Sequence, residues 1–127
     1  CDLIIPVPLH WTRKWKRGYN QAEIIAGSIA ATMNIPIRTD LLTRRRRTIS
    51  QTKLDIEGKA KNVAGAFEVT ETAAELMKER PDIRRIVLID DVFTTGSTLM
   101  ACFTALRSVF PPEVRISVAT LGFVGEA

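Results

Sequence analysis

Two cysteines, one histidine and one tyrosine in 127 residues leave several kinds of chemistry without material. Cys1 and Cys102 are too few for a disulfide framework. The periodicity puts Cys102 on the apolar face of a helix, as a small buried hydrophobe. His10 has no second histidine to share a metal with, so a histidine-based metal centre is excluded. No run of about eighteen apolar residues exists, so no membrane insertion is expected. The opening CDLIIPVP lacks a basic n-region and a long apolar h-region, which argues against a signal peptide, and it also lacks an initiator methionine. The expectation is a single domain over residues 1–127, a C-terminal fragment of a longer cytoplasmic chain. Internal repeats and low-complexity tracts are absent as well.

Hydrophobic residues make up 46% of the chain and charged residues 25%, enough apolar material for a core and too little charge for a disordered segment. The net charge of +4 is placed unevenly. Arg13, Lys14, Lys16 and Arg17 form one basic stretch and Arg44 to Arg47 another, with no acidic residue in either. Removing these eight from the eighteen lysines and arginines leaves ten against fourteen acidic residues, so the two stretches carry the whole positive balance. An anionic partner is expected beside them. The second stretch suits a solvated basic face, a phosphate-binding loop or a nucleic-acid surface. The first is interleaved with Trp11, Trp15 and Tyr19, a pattern that fits phosphate binding, loop packing or single-stranded DNA held by backbone charge and base stacking.

The chain is organised around IVLIDDVFTTGSTL, Ile86 to Leu99. Its uninterrupted β-branched and apolar start suits a strand covered on both faces, closed by the carboxylates Asp90 and Asp91. A small-residue turn follows, Thr94 to Thr98 around Gly96, and then a helix in which Leu99, Cys102, Phe103 and Leu106 share one face. Backbone N–H groups, hydroxyls and a helix N-terminus can together hold a phosphate. Two carboxylates do not favour a phosphate alone, but they accept hydrogen bonds from vicinal hydroxyls, and bound magnesium can further offset their charge. The ligand so described carries a sugar diol and a terminal phosphate.

Before this stretch, Asp2 to Val7 is predicted as a first strand whose exit Pro6 and Pro8 stiffen. Asn20, with Glu23 three residues on, marks a helix start. Ala22, Ile25, Ala26, Ile29 and Met33 set that helix's apolar face, and Pro36 bars its continuation. Asp40 to Arg44 is a short strand, residues 45–64 a long loop, either disordered or an active-site lid, with a helical turn near Gly58 to Asn62, and Val63 to Val69 a third strand. Thr72 and Glu75 cap a helix running to Arg80, with Leu76 and Met77 inward. Val114 to Leu121 forms the last strand. Alternating strands and helices imply an α/β fold of three layers, a mostly parallel central sheet with helices on both faces. Exposed apolar surface and self-association into a homodimer are further expectations.

The Ile86 to Leu99 stretch resembles the ribose-5-phosphate-binding signature of type I phosphoribosyltransferases. More of the chain, IPVPLHWTRKWKRGYNQAEIIA followed by RRRRTISQTKL, KNVAGAF and VLIDDVFTTGSTL, is similar to the ComF/GntX-like branch of that fold, associated with bacterial DNA uptake and competence. The resemblance covers about Asp2 to Leu121. It implies a transferase that binds phosphoribosyl pyrophosphate with Mg²⁺ and passes the phosphoribosyl group to an acceptor. Asp90 and Asp91 take the catalytic and ribose-holding roles, touching metal through water, and Thr94, Thr95, Gly96, Ser97 and Thr98 cradle the phosphate. Pro8, Leu9, His10, Arg13, Lys14 and Arg17 from the first loop face the pyrophosphate, as do Arg45, Arg46, Arg47 and Lys53 from the second. Ser97 stands where many such enzymes have a second glycine. The four-cysteine zinc module common in the family has no counterpart here, and neither does a recognisable acceptor hood. Alternatives on the same fold are a non-catalytic sensor of the sugar pyrophosphate and a nucleic-acid-binding module, with single-stranded DNA or a protein of the competence machinery as partner.

Overall fold

The protein's structure, a computed structural model, describes residues 1–8, 20–44, 67–93 and 96–123. Among these residues five strands and three helices follow one another: β1 (Leu3–Pro6), α1 (Gln21–Met33), β2 (Leu42–Arg44), β3 (Phe67–Val69), α2 (Glu71–Glu79), β4 (Arg85–Phe93), α3 (Ser97–Arg107) and β5 (Arg115–Phe123). β1, β4 and β5 form a parallel sheet with β4 in the middle. β2 and β3 pair antiparallel with each other and stay outside that sheet. The expected parallel sheet is therefore present in three strands, and the two short strands cover it instead of widening it.

Side-chain alternation along β4 sorts the layers. Ile86 and Leu88 face one way, into a core shared with Leu3 and Ile5 of β1, Leu42 and Phe67 of the β2–β3 pair, Ala73 and Leu76 of α2, and Leu99, Cys102 and Leu106 of α3. Ile89 faces the other way and meets Ile4, Ala26 and Ala30, with Val87 and the α1 residues Ile25 and Ile29 packed alongside. Each face of the sheet thus has its own helical cover, as an apolar run without alternation predicts.

Several boundaries differ from the sequence expectation. β4 does not close at its carboxylates but runs on to Phe93, because β5 continues the ladder with Val92 beside Gly122 and Phe93 beside Phe123. The last strand likewise lies two residues beyond its expected end. Met33 is 62% exposed instead of facing the core, since α1 ends there and Asn34 turns into the left-handed region at φ 55°. α2 begins after Thr70, not Thr72, and the Thr70 hydroxyl donates to the Asp40 carbonyl at 2.6 Å rather than capping the helix. The expected lid and its helical turn lie outside the described residues, as do residues 63–66 of the third strand.

On its outer side β1 receives the segment after α1. Ile4 N–H donates to Pro36 C=O at 2.9 Å, and Arg38 N–H to Ile4 C=O at 3.0 Å. β5 is the opposite margin of the sheet and carries the expected exposed apolar surface, with Leu121 76% exposed. No helix among the described residues is long and apolar enough to cross a membrane.

Asn20 does more than start α1. It is buried, its Oδ1 accepts from Ala22 N–H at 3.0 Å, and its Nδ2 donates to Val7 C=O at 3.1 Å. One side chain thereby ties the end of β1 to the beginning of α1. Asn20→Ala should cost about 2 kcal/mol in urea unfolding, the usual size for a buried amide losing both partners. Asn20→Asp separates the two roles, because a carboxylate still caps the helix but cannot donate to Val7. It should destabilise the protein too, whereas wild-type stability in that variant would reduce Asn20 to a cap.

Candidate functional site

Parallel strands place their carboxyl ends together, and open α/β sheets bind ligands there. Here that end collects Pro8 after β1, Asp90 and Asp91 towards the end of β4, and the N-terminus of α3. Asn20 brings the N-terminus of α1 to the same end by holding Val7, whose N–H in turn donates to Ile89 C=O at 2.8 Å. Helix N-termini favour anions through their unsatisfied N–H groups and the aligned peptide dipoles.

Gly96 is the hinge between strand and helix. It adopts φ 83° and ψ −3°, a left-handed conformation that disfavours any side chain, and its carbonyl accepts the first helical bond from Met100 N–H at 2.8 Å. A glycine at this position adds no capping side chain to the first turn of α3. Ser97 there is exposed and Thr98 half-buried. The predicted phosphate turn is thus described at Gly96, Ser97 and Thr98, while Thr94 and Thr95 lie outside the described residues.

Strand alternation starts the two side chains on opposite faces, yet the Asp91 carboxylate stays close enough to interact with that of Asp90. Asp90 continues the Ile86 and Leu88 series onto the α3 face, and Asp91 continues Val87 and Ile89 onto the α1 face. Asp90 turns back on its own chain, its Oδ1 accepting from Asp91 N–H at 2.8 Å. Burial pushes the Asp90 carboxyl up from 3.8 to about 6. The Asp91 N–H opposes that shift, the Asp91 side chain and its charge add to it, and the positive charge of Arg44 opposes it. The same neighbourhood reaches α3, where Cys102 is fully buried and its thiol is pushed well up, first by burial and then by the charge of Asp90.

Arg44 is the residue that sequence reasoning left out of the pyrophosphate-facing set. It was legible only as the first of four arginines, and it is the last residue of β2. Its guanidinium carbon lies 5.2 Å from the centre of the Phe67 ring. The remaining candidates, Leu9, His10, Arg13, Lys14 and Arg17 of the first loop and Arg45, Arg46, Arg47 and Lys53 of the second, lie outside the described residues. Pro8 is half-buried at the sheet's carboxyl end.

Among the described residues no three histidine, cysteine, aspartate or glutamate side chains form a group that could hold a metal ion. Two adjacent carboxylates suit magnesium, which keeps several waters and takes the rest of its oxygens from a bound phosphate. The residues present therefore fit a water-mediated magnesium contact.

No family model matches the chain. Curated proteins that resemble it include competence protein F of Haemophilus influenzae (34% identical over 115 residues, covering 91% of this chain and 48% of that protein), the DNA utilization protein YhgH of Escherichia coli strain K12 (33% over 98 residues, 77% and 40%), and competence protein ComFC of Bacillus subtilis (26% over 97 residues, 76% and 35%). The chain thus spans half or less of the length of these relatives.

The raised Asp90 value fixes the sign of a pH effect. Between pH 3.8 and about 6 the folded protein retains a proton that the unfolded chain has released, so stability falls as pH rises through this window and levels off above it. Asp90→Asn, which stays neutral, should flatten that segment of the stability curve and raise the urea midpoint at pH 7. An unchanged slope in the variant would assign the proton to another group.

Proposed function

The chain is a homologue of the ComF-family competence proteins, and from that kinship we propose that it binds 5-phosphoribosyl 1-pyrophosphate with magnesium and transfers the phosphoribosyl group to an acceptor, within DNA uptake or use. One observation carries the reading: an acidic pair near the carboxyl end of the central parallel strand, with a left-handed glycine and a helix N-terminus five residues on from Asp91. A sugar diol and a phosphate are the ligand groups that need these two features side by side.

In this reading the ribose hydroxyls donate to Asp90 and Asp91, and the 5-phosphate lies on the first-turn N–H groups of α3 with the Ser97 and Thr98 hydroxyls. Pyrophosphate points toward the loops after β1 and β2, where the basic stretches of the sequence stand. Displacement breaks the bond from the anomeric carbon to the pyrophosphate oxygen, the leaving group keeps the electron pair, and the acceptor's lone pair makes the new bond. Positive charge grows on the sugar ring, which carboxylates at the diol stabilise, so no side-chain nucleophile is needed. Asp90 and Asp91 would hold magnesium through water, and the metal when bound would supply positive charge to offset that of the leaving pyrophosphate.

The relatives' names tie them to competence and DNA utilization, which supports a place in DNA handling for this domain. Single-stranded DNA and proteins of the uptake machinery are the partners that fit its basic stretches.

Calorimetric titration with phosphoribosyl pyrophosphate and Mg²⁺, beside ribose 5-phosphate and inorganic pyrophosphate, tests the pocket. Saturable binding is expected. Asp90→Asn and Asp91→Asn should each weaken it roughly 10- to 100-fold, the range for losing a hydrogen bond to a charged group. Affinity should also fall as pH drops below about 6, where Asp90 takes up its proton. Equal affinity in folded Asn variants would overturn the site. Release of pyrophosphate with an acceptor distinguishes the transferase from a sensor that binds without turnover.

A further inference from the structure

Arg85 and Arg115 are partners in the parallel register of β4 and β5. Adjacent strands lie about 4.8 Å apart, so the two side chains leave the same face of the sheet as close neighbours. Both are exposed. Among the described residues neither guanidinium has a hydrogen bond, an ion pair or a ring contact. The other described arginines are all engaged. Arg38 pairs with Asp40 and Arg80 with Asp82, each at 2.9 Å, Arg84 donates to the carbonyls of Pro81 and Ile83, Arg107 to those of Pro111 and Val114, and Arg44 lies over Phe67. Like charges side by side on neighbouring strands repel, so the fold carries this pair at a cost in stability. Nearby carboxylates are spent elsewhere: Asp2, just before β1, accepts the N–H groups of Arg84 and Arg85, and Asp82 is held by Arg80.

The pair stands at the head of an unprotected edge. β5 ends the parallel sheet, and no strand among the described residues pairs with its outer side. From Ile116 to Phe123 it has no charged residue and no proline, which are devices that keep natural sheet edges from pairing. Leu121 is 76% exposed on the α1 side and Val118 is 45% exposed on the other. A free ladder edge takes main-chain partners, Val118 and Leu121 take uncharged side chains, and the two guanidiniums take carboxylates. Nucleic acid supplies no strand to pair with, and a polyanion crossing this rim would also meet Asp2, Asp82 and Glu113.

We infer that β5 is a docking edge for an extended segment of a partner protein. The segment adds a strand to the sheet, lays uncharged side chains over Val118 and Leu121, and sets carboxylates on Arg85 and Arg115. The guanidinium pair lies at the amino end of the sheet, away from Asp90 and Asp91, so the inference is independent of what the donor site binds.

Two measurements test it. The first needs no ligand: a double-mutant cycle by urea unfolding at low salt, on wild type, Arg115→Gln, Arg85→Gln and the double variant. Arg115→Gln should raise the midpoint of wild type more than that of Arg85→Gln, and the difference should fade in high salt. Additive effects overturn the premise that the pair is uncompensated. The second uses synthetic peptides of about eight residues, alternating threonine and valine, with two glutamates at one end or the other, beside versions with lysines in their place. An acidic peptide should bind wild type saturably by fluorescence anisotropy, roughly 10-fold more tightly than its lysine version, and should slow amide exchange in β5. Combining Arg85→Glu with Arg115→Glu should reverse the preference, and Val118→Lys should weaken binding of either peptide. Absence of binding by folded wild type, or equal binding of both charge types, overturns the proposal. So does a wild-type dimer by light scattering that Val118→Lys dissolves, which assigns the edge to a second copy. Protection of β5 by a single-stranded oligonucleotide in place of the peptide overturns it in favour of nucleic acid.

Discussion

A strand covered on both faces can hold charged groups only where its cover ends. Ile86, Leu88 and Ile89 are almost completely buried between α1 on one side and α2, α3 and the β2–β3 pair on the other. Burying an unpaired carboxylate among them would cost far more than a domain of this size can bear. The acidic pair therefore sits where the layers give out, at the carboxyl end, and even there Asp90 stays partly buried and raised. The fold's main source of stability and the placement of its candidate chemistry are one constraint.

The same end gathers the other polar devices. Asn20 joins the β1 exit to the α1 entrance through two hydrogen bonds. Gly96 lets α3 start immediately after the strand, in a conformation closed to most residues. Elsewhere the chain uses polar groups for structure alone. Asp2 accepts the N–H groups of Arg84 and Arg85 at 2.8 and 3.0 Å, joining the start of β1 to that of β4. Arg107 donates to the carbonyls of Pro111 and Val114 at 2.5 and 2.8 Å and lies over the Phe103 ring, fixing the turn that leads into β5. These contacts belong to the opposite end of the sheet or to its rim. Hydrogen bonds to backbone groups occupy both side chains.

Hydrophobic pattern made the central strand, the apolar face of α3 and the burial of Cys102 legible, because each depends on residues within one turn or one strand of each other. Spacing also showed the acidic pair and the glycine turn. It failed at margins. Met33 matched the helical period, yet α1 ends there and leaves it 62% exposed. Thr72 and Glu75 matched a capping box, yet the chain enters α2 two residues earlier, because Thr70 is held by Asp40 thirty residues away in sequence. β4 looked complete at Asp91, yet a partner strand still to come in the chain extended it to Phe93.

By itself the sequence determined which segments are strands and helices, which strand is central, and that two carboxylates, a glycine and a helix start follow one another, since all of this is short-range periodicity and composition. Only the tertiary structure decided that β2 and β3 stand apart from the parallel sheet, that Asn20 reaches back to β1, and that Arg44 lies over Phe67. Pairing register and electrostatic neighbourhood depend on which distant segments share a face. A run of four arginines reads the same along the chain whichever of them the fold turns inward.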